Sequence, residues 1–538
     1  MLPRGLARVV VDAMSLRSKL PAPSPAGAWR LARIVVLAGF VCLIGRFWNP
    51  YYGFTALLQA DAVTKSLLPE SLRAAPLFIH RDAGRYDGAY YAQIAASPAL
   101  RDPALAAAVD DLGYRARRIL LSAIAWAAGG GDPVRAVHVY AWLNVILWFG
   151  FAALLWRLFP VDAGGRALLG WAGLVLASGT LASVRLALTD LAAVILLAAA
   201  LHQSEKGRSA VSAGFLALGG LARETSLLGL SALLPGQRAE ARGIFQRVGL
   251  ILLAVLPLAG WWWYLRRAVG SSSAGTDNFS WPLLGWIGRG KELMQVTRVE
   301  SNHWLVAGAW LDVIALAAQM IYLLARPHWR DPWWRLGALF TCFGLCLGPA
   351  VMEGLPGAVA RVLLPLTLAF NVVAVRRRAT VLWLVLGNLS VFGGVLALCD
   401  PPGEPHILTA RTSWTQPDLL FETDARWSVA EWNSKWRWAW CKGTGGVNVR
   451  IWPWAPMARV ELQVRGVTPR SLEVWHNQTR VWRGQIGDRP QWIRLPELPL
   501  VQGSLQLELR SEAPATGEGE ANTARSVSFA CFDARLVK

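Results

Sequence analysis

Acidic, basic and aromatic residues crowd positions 80–91, among them His80, Arg81, Asp82, Arg85, Asp87, Tyr90 and Tyr91, and crowd again at Tyr114, Arg115, Arg117 and Arg118. Asp87, Tyr90, Tyr91 and Ile94 keep the i, i+3, i+4, i+7 spacing of one helical face, with the carboxylate at the start of the helix. We expect that helix to lie along a bilayer surface. A carboxylate in a partly dry cleft takes a proton from a sugar hydroxyl, and nearby guanidinium groups hold a phosphate as its negative charge grows. On that chemistry Asp87 is the first candidate for a base, and Tyr90 and Tyr91 would shape the space beside it.

Each of these residues has a plainer reading as well. Asp87 could be an ordinary helix N-cap, a role that favours the ionised form and makes a weaker base. Asp82, the competing carboxylate, could equally be a solvated loop residue paired with Arg81 or Arg85. Arg115, Arg117 and Arg118 precede the apolar run 119–128, so they are either lipid-phosphate ligands or snorkelling anchors. His80 has no second histidine or carboxylate pair at metal-ligand spacing. We expect no structural metal and no other cofactor, and nothing points to a divalent ion.

The elements that must hold these residues are set by composition. Of 538 residues, 54% are hydrophobic and only 17% charged, which requires a bilayer as much of the solvent. Apolar stretches long enough to span, roughly 20 residues each, recur from about position 34 to 399 and then stop. The net charge of +19 sits in short segments between those stretches, which is the positive-inside pattern and not a nucleic-acid groove. Residues 1–33, with Arg4, Arg8, Arg17, Lys19, Arg30 and Arg33, read as a retained cytoplasmic tail. A first span near 34–52 then delivers the loop 53–135 to the outside, and spans near 137–158, 167–184 and 188–201 follow.

The stretch 209–235 is long for one helix, carries Arg223 and Glu224 at its middle and has basic residues on both flanks. We read it as two short helices with an outer turn at 221–225, the alternative being one tilted helix. Arg223 and Glu224 would form a structural ion pair or line a polar cavity. Arg361, just past an outer turn at 353–357, is a further candidate phosphate contact or a boundary arginine. With a last span near 381–398 the count is about eleven helices, and it places the C-terminal part outside.

Residues 400–538 change character. Alternating runs such as Val460-Glu461-Leu462-Gln463-Val464 and Leu505-Gln506-Leu507-Glu508-Leu509 are separated by turn residues, which predicts an extracytoplasmic β-sandwich. Its tryptophans, among them Trp414, Trp427, Trp432, Trp440 and Trp454, fit either core packing or sugar-stacking platforms. Positions 514–523 read as a loop, and Cys441 and Cys531 could pair in an oxidising compartment.

Three segments carry a resemblance: Arg-Tyr-Asp-Gly-x-Tyr-Tyr-x-x-Ile-Ala from Arg85, Tyr-Arg-x-x-Arg-Ile-Leu from Tyr114, and Leu-Ala-Arg-Glu-Thr from Leu221. Together they resemble the bacterial polytopic glycosyltransferases of the GT-C superfamily. They are similar, more distantly, to the mannosyltransferase that adds the second mannose to glycosylphosphatidylinositol anchors. The resemblance covers the membrane portion and not the tail. It implies an inverting transferase of the inner membrane, active on the periplasmic or exterior side. Such an enzyme moves a sugar from a polyprenyl-phosphate donor to a glycan, lipid or protein acceptor. Asp87 matches its catalytic base, Tyr114, Arg115 and Arg118 its second motif, and Arg223 and Glu224 its third. The chain departs from the commoner arrangement, in which the aspartate follows tryptophan or pairs with a second acidic residue. Two other classes stay open: a secondary transporter or flippase, with Asp190 and Asp312 as pathway candidates, and a non-catalytic scaffold for envelope polysaccharide.

Overall fold

The computed structural model describes residues 25–80, 84–233, 241–270, 275–355, 357–404, 406–409, 418–433, 436–453, 455–513, 515–518 and 525–537. Arg81 and Asp82 lie outside these residues, as do positions 1–24, Trp414, Trp454 and parts of the 514–523 loop. The chain is helical up to Cys399 and β-rich beyond Leu419.

Among the described residues six helices are long and apolar enough to cross a membrane: Ala26–Gly45, Pro133–Leu158, Gly165–Arg185, Phe245–Ala268, His303–Ala325 and Val381–Cys399. They are unequally covered. Gly165–Arg185 is 72% buried over its most apolar window, against 17% for Ala26–Gly45 and for Phe245–Ala268, so the first packs inside the bundle while the other two present apolar surface to lipid. The first span stops at Gly45 and not near 52; Tyr51 and Tyr52 instead pack with Ile407 and Leu420 of the tail.

Around the polar residues one full-length span, Pro133–Leu158, stands among shorter helices. For the site, α1 is Asp87–Ala96, α2 Leu120–Ala128, α3 Pro133–Leu158, α4 Ser178–Arg185, α5 Asp190–Glu205 and α6 Ser209–Ala222. The stretch 209–235 does break where expected: α6 ends at Ala222 and a 3-10 segment, Glu224–Leu233, doubles back. A Cβ on Gly219 would sit 3.1 Å from Ser226, and one on Gly229 2.7 Å from Leu216. Those two contacts define a hairpin folded about Arg223, which excludes a single tilted helix. Helix α1 differs from the surface-lying helix that its spacing predicts. Every residue from Gly88 to Ala96 is buried, because α1 is packed between α2 and α3 and has no outward face.

The tail contains two five-stranded sheets. Its strands are β1 Leu419–Thr423, β2 Glu431–Trp432, β3 Arg437–Cys441, β4 Thr444–Ile451, β5 Met457–Gly466, β6 Arg470–His476, β7 Thr479–Ile486, β8 Gln491–Pro499, β9 Ser504–Arg510 and β10 Phe529–Leu536. One sheet has the order β8-β5-β10-β3-β2 and the other β1-β4-β9-β6-β7. Strict alternation sends Val460, Leu462 and Val464 of the first sheet and Leu472, Val474, Leu505, Leu507 and Leu509 of the second into one apolar core. The tryptophans divide: Trp427 and Trp440 are buried, while Trp432 is 74% exposed. Cys441 and Cys531 are both free and buried. They sit on neighbouring strands out of direct register, Cys441 opposite Phe529 and Cys531 opposite Ala439.

The tail rests on the loop 53–135. Leu420 and Ile407 join Tyr51, Tyr52, Ala56 and Phe78 in a small apolar cluster, and Arg450 donates to the Ala75 carbonyl at 2.9 Å.

Candidate functional site

Asp87 is the first helical residue of α1. The N-cap is Tyr86, in extended conformation, and no side chain caps the helix, so Asp87 does not serve as the cap. Its carboxylate turns to two arginines: Arg115 Nη1 is 2.9 Å from Oδ1, and Arg361 Nη1 is 3.6 Å from Oδ2.

Arg115 is aimed by a neighbour that sequence reasoning did not single out. Its Nε and Nη2 donate to the two oxygens of Asp110, at 3.0 and 2.6 Å, which leaves Nη1 for Asp87. Asp111 accepts from the Tyr114 amide and starts the turn that carries Arg115. Burial pushes the Asp110 carboxyl up, but the Arg115 guanidinium more than offsets this and holds it below the usual carboxylate range. Burial opposes the Arg115 charge too, yet Asp110 and Asp87 carry its pKa above the ordinary value.

Arg361 stands on a short helix, Val359–Val362, that meets α4 at Gly179. A Cβ there would lie 2.3 Å from the Ala360 carbonyl, so only glycine lets the two backbones approach this closely. Gly88 has the same role on α1: its Cβ would fall 2.1 Å from the Leu186 carbonyl, just before α5 begins at Asp190. These two contacts bring Asp87, Asp190 and Arg361 together. Arg361 Nη1 is 3.6 Å from Asp190 Oδ2 as well as from Asp87 Oδ2, and Nη2 donates to the Tyr86 hydroxyl at 3.1 Å.

Arg223 and Glu224 do not pair with each other. Arg223 bonds Asp190, and Glu224 bonds Arg118 Nε at 3.3 Å. The reversal of the chain at Arg223 points the two side chains to different partners. Arg118 also donates to the Tyr91 hydroxyl at 2.8 Å and the Tyr114 hydroxyl at 3.2 Å, and Asn278 donates to Tyr114 at 3.3 Å. Burial would raise the Tyr114 phenol, but the Arg118 charge and these bonds bring it below its usual value. Tyr90 lies between the guanidinium groups of Arg85 and Arg115, at 4.6 and 5.1 Å from its ring centre. Arg85 itself turns away from Asp87 and donates to the Ala108 carbonyl at 2.6 Å. His80 shares a 2.9 Å hydrogen bond with the Ala56 carbonyl, a packing role.

The structure thus joins Asp87, Arg115, Arg118, Tyr91, Tyr114, Arg223, Glu224 and Arg361 in one largely half-buried polar cluster, and adds the exposed Asp110, Asn278 and the buried Asp190. Asp190 had read as a transport-path residue or a cap. The sequence signal for its place was an acidic residue opening the apolar stretch 190–201; the left-handed Ala187 three residues earlier appears only in the structure. Three buried atoms of the cluster have no hydrogen-bond partner: Asp190 Oδ2, Arg223 Nε and Arg361 Nε. Native interiors usually pair such atoms with protein groups or ordered water, and atoms of this kind also occur elsewhere among the described residues. The arrangement offers a carboxylate oxygen that is only loosely held, beside guanidinium groups with donors to spare. Comparison with known protein families, with characterised proteins and with solved structures finds no match to this chain.

Proposed function

We propose that the chain is an inverting glycosyltransferase of the GT-C type, which moves a sugar from a polyprenyl-phosphate donor to a glycan, lipid or protein acceptor outside the cytoplasm. Asp87 takes the proton of the acceptor hydroxyl. The hydroxyl oxygen attacks the anomeric carbon, and the bond from that carbon to the phosphate oxygen breaks, its electrons leaving with the lipid phosphate. A single displacement inverts the centre. Arg361, Arg115, Arg118 and Arg223 hold the growing negative charge. The reading includes about eleven crossings, an inner-membrane location, and a tail folded as a β-sandwich on the outer side.

The observation that supports it is Asp87 Oδ2, 3.6 Å from Arg361 and next to the three unpartnered buried atoms. The test is transfer of radiolabel from a panel of polyprenyl-phosphate sugars by the full chain in lipid, with a broad acceptor extract. Wild type should transfer and Asp87→Asn should not. Transfer by both moves the base elsewhere, with Asp82→Asn the next variant, and no transfer by wild type removes the enzyme. One feature favours transport: Asp312, buried in the span His303–Ala325, has a single bond, from the Ser178 hydroxyl at 2.9 Å. Proton-coupled uptake lost in Asp312→Asn would support that second reading.

A further inference from the structure

The outward face of the β1-β4-β9-β6-β7 sheet is polar and for most of its length uncovered. Side chains on one face recur every second residue, so the register fixes three successive rows. The row against the loop 53–135 holds Leu420, Arg450 and Ser504. The next holds Glu422, Asn448 and Gln506, and the third Gly446, Glu508 and Trp475. From Arg450 to Gly446 is four residues, about 13 Å at strand rise. Two cavities lie over these rows. One, of about 610 Å³, spans the junction and is lined by Lys65, Arg73, Arg450, Asn448, Asn477 and Gln506. The other, of about 430 Å³, is lined by Asp424, Glu508, Trp475, Asn448, Asn477 and Gln506. Shared walls at Asn448, Asn477 and Gln506 make them one groove, which starts on the loop that carries Asp87.

We propose that this groove binds an acidic oligosaccharide, with an anionic group at the junction and a sugar ring on Trp475. As the acceptor site this rests on the transferase reading; as a binding site it does not. Lys65 and Arg73 have no acidic partner within ion-pair distance among the described residues, and Arg450 reaches Glu422 only at 4.0 Å. That end therefore holds a surplus of positive charge. Burial, and then the Arg450 charge, lower the Lys65 pKa, and Glu422 opposes this without reversing it. At the other end Trp475 is half-buried, with Arg510 4.6 Å from its ring centre, and Arg426 links Asp424 to Glu508. The amides between have donors and acceptors free: Gln506 and Gln478 make no side-chain hydrogen bond among the described residues. An indole, primary amides and carboxylates suit the C–H faces and hydroxyls of sugars. A peptide strand would add to a sheet edge, and this groove crosses the face instead.

The test is calorimetric titration of the full chain in lipid nanodiscs with two probes, an oligogalacturonate hexamer and a neutral cello-oligosaccharide hexamer. The acidic probe should bind more tightly. Trp475→Ala should weaken both about tenfold or more, a factor worth about 1.4 kcal/mol. Lys65→Glu with Arg73→Glu should weaken the acidic probe alone. Gln506→Arg, at an exposed position that leaves the sheet intact, should block the groove to the neutral probe. Asp87→Asn should bind both like wild type. Failure of both hexamers to bind, or binding unchanged in Trp475→Ala and Gln506→Arg, overturns the proposal. Binding by a wild type that transfers no sugar keeps the groove and removes the transferase.

Discussion

Glu461 and Asp87 are each bracketed by two arginines, and they are built to opposite ends. Glu461, on β5, accepts from Arg494 at 2.7 Å on one oxygen and from Arg535 at 2.6 Å on the other, and those arginines are 67% and 45% exposed. Asp87 has one tight partner at 2.9 Å and one loose partner at 3.6 Å that it shares with Asp190, and both arginines are nearly buried. The first is a closed clamp on a covered carboxylate whose arginines lie in water, which can take over at the guanidinium groups when a bond breaks. The second is left open in a place where water cannot easily do so. Buried charge held at less than full satisfaction is unfavourable for stability, and it persists where a ligand completes it.

The largest effect should come from the loose carboxylate itself. Asp87→Asn keeps the shape and removes the base, so transfer should fall about 10²- to 10⁴-fold while the thermal midpoint stays within a few degrees. An equal loss of both would make Asp87 a second structural clamp. Asp190→Leu should act on stability instead, because it strands Arg223 without its carboxylate; breaking a buried pair from one side costs about 3–5 kcal/mol. Adding Arg223→Met should restore most of that stability, read as yield of folded protein and midpoint, and should leave transfer low. Gly88→Ala comes next. Its methyl would lie 2.1 Å from the Leu186 carbonyl, and the overpacking should cost about 1–3 kcal/mol and push Asp87 away from Arg361. Stability reduced with transfer intact would show that the close approach serves packing alone.

The comparison also shows which parts of the molecule were legible in the residues. Period-two alternation at 460–464 and 505–509 is local, and both runs form strands. Arg223 broke its apolar stretch where the charge flanks required. Asp87, Arg115, Arg118 and Arg361 were singled out because their types suit one chemistry, and the structure places them near one another. Their connections were not legible. Arg223 and Glu224 are chain neighbours, yet one reaches Asp190 and the other Arg118. Asp110 aims Arg115 through a fork geometry that spacing alone does not encode. Asp190, far along the chain, shares Arg361 with Asp87, where Gly88 admits the approach. Helix α5 is also shorter than a span because its first residue belongs to the site, and counting apolar lengths treats such helix ends as loss of signal.

The smallest effect should come from the closed clamp. The bonds from Arg494 and then Arg535 hold the Glu461 carboxyl below the ordinary glutamate value. A carboxyl depressed in the folded state contributes stability above its unfolded pKa, near about 4.3, and loses it as pH falls through the folded value. The tail should therefore weaken below about pH 4. Glu461→Gln should flatten that slope while changing stability at neutral pH by no more than about 1 kcal/mol, since the arginines stay solvated and the amide oxygen still accepts one bond. Urea midpoints of the tail, followed by pulse proteolysis of the full chain between pH 3 and pH 7, measure both. A neutral-pH loss as large as that of Asp190→Leu would erase the distinction between the two carboxylates. A flattened acid slope with transfer unchanged would place all the catalytic consequence on the loosely held one.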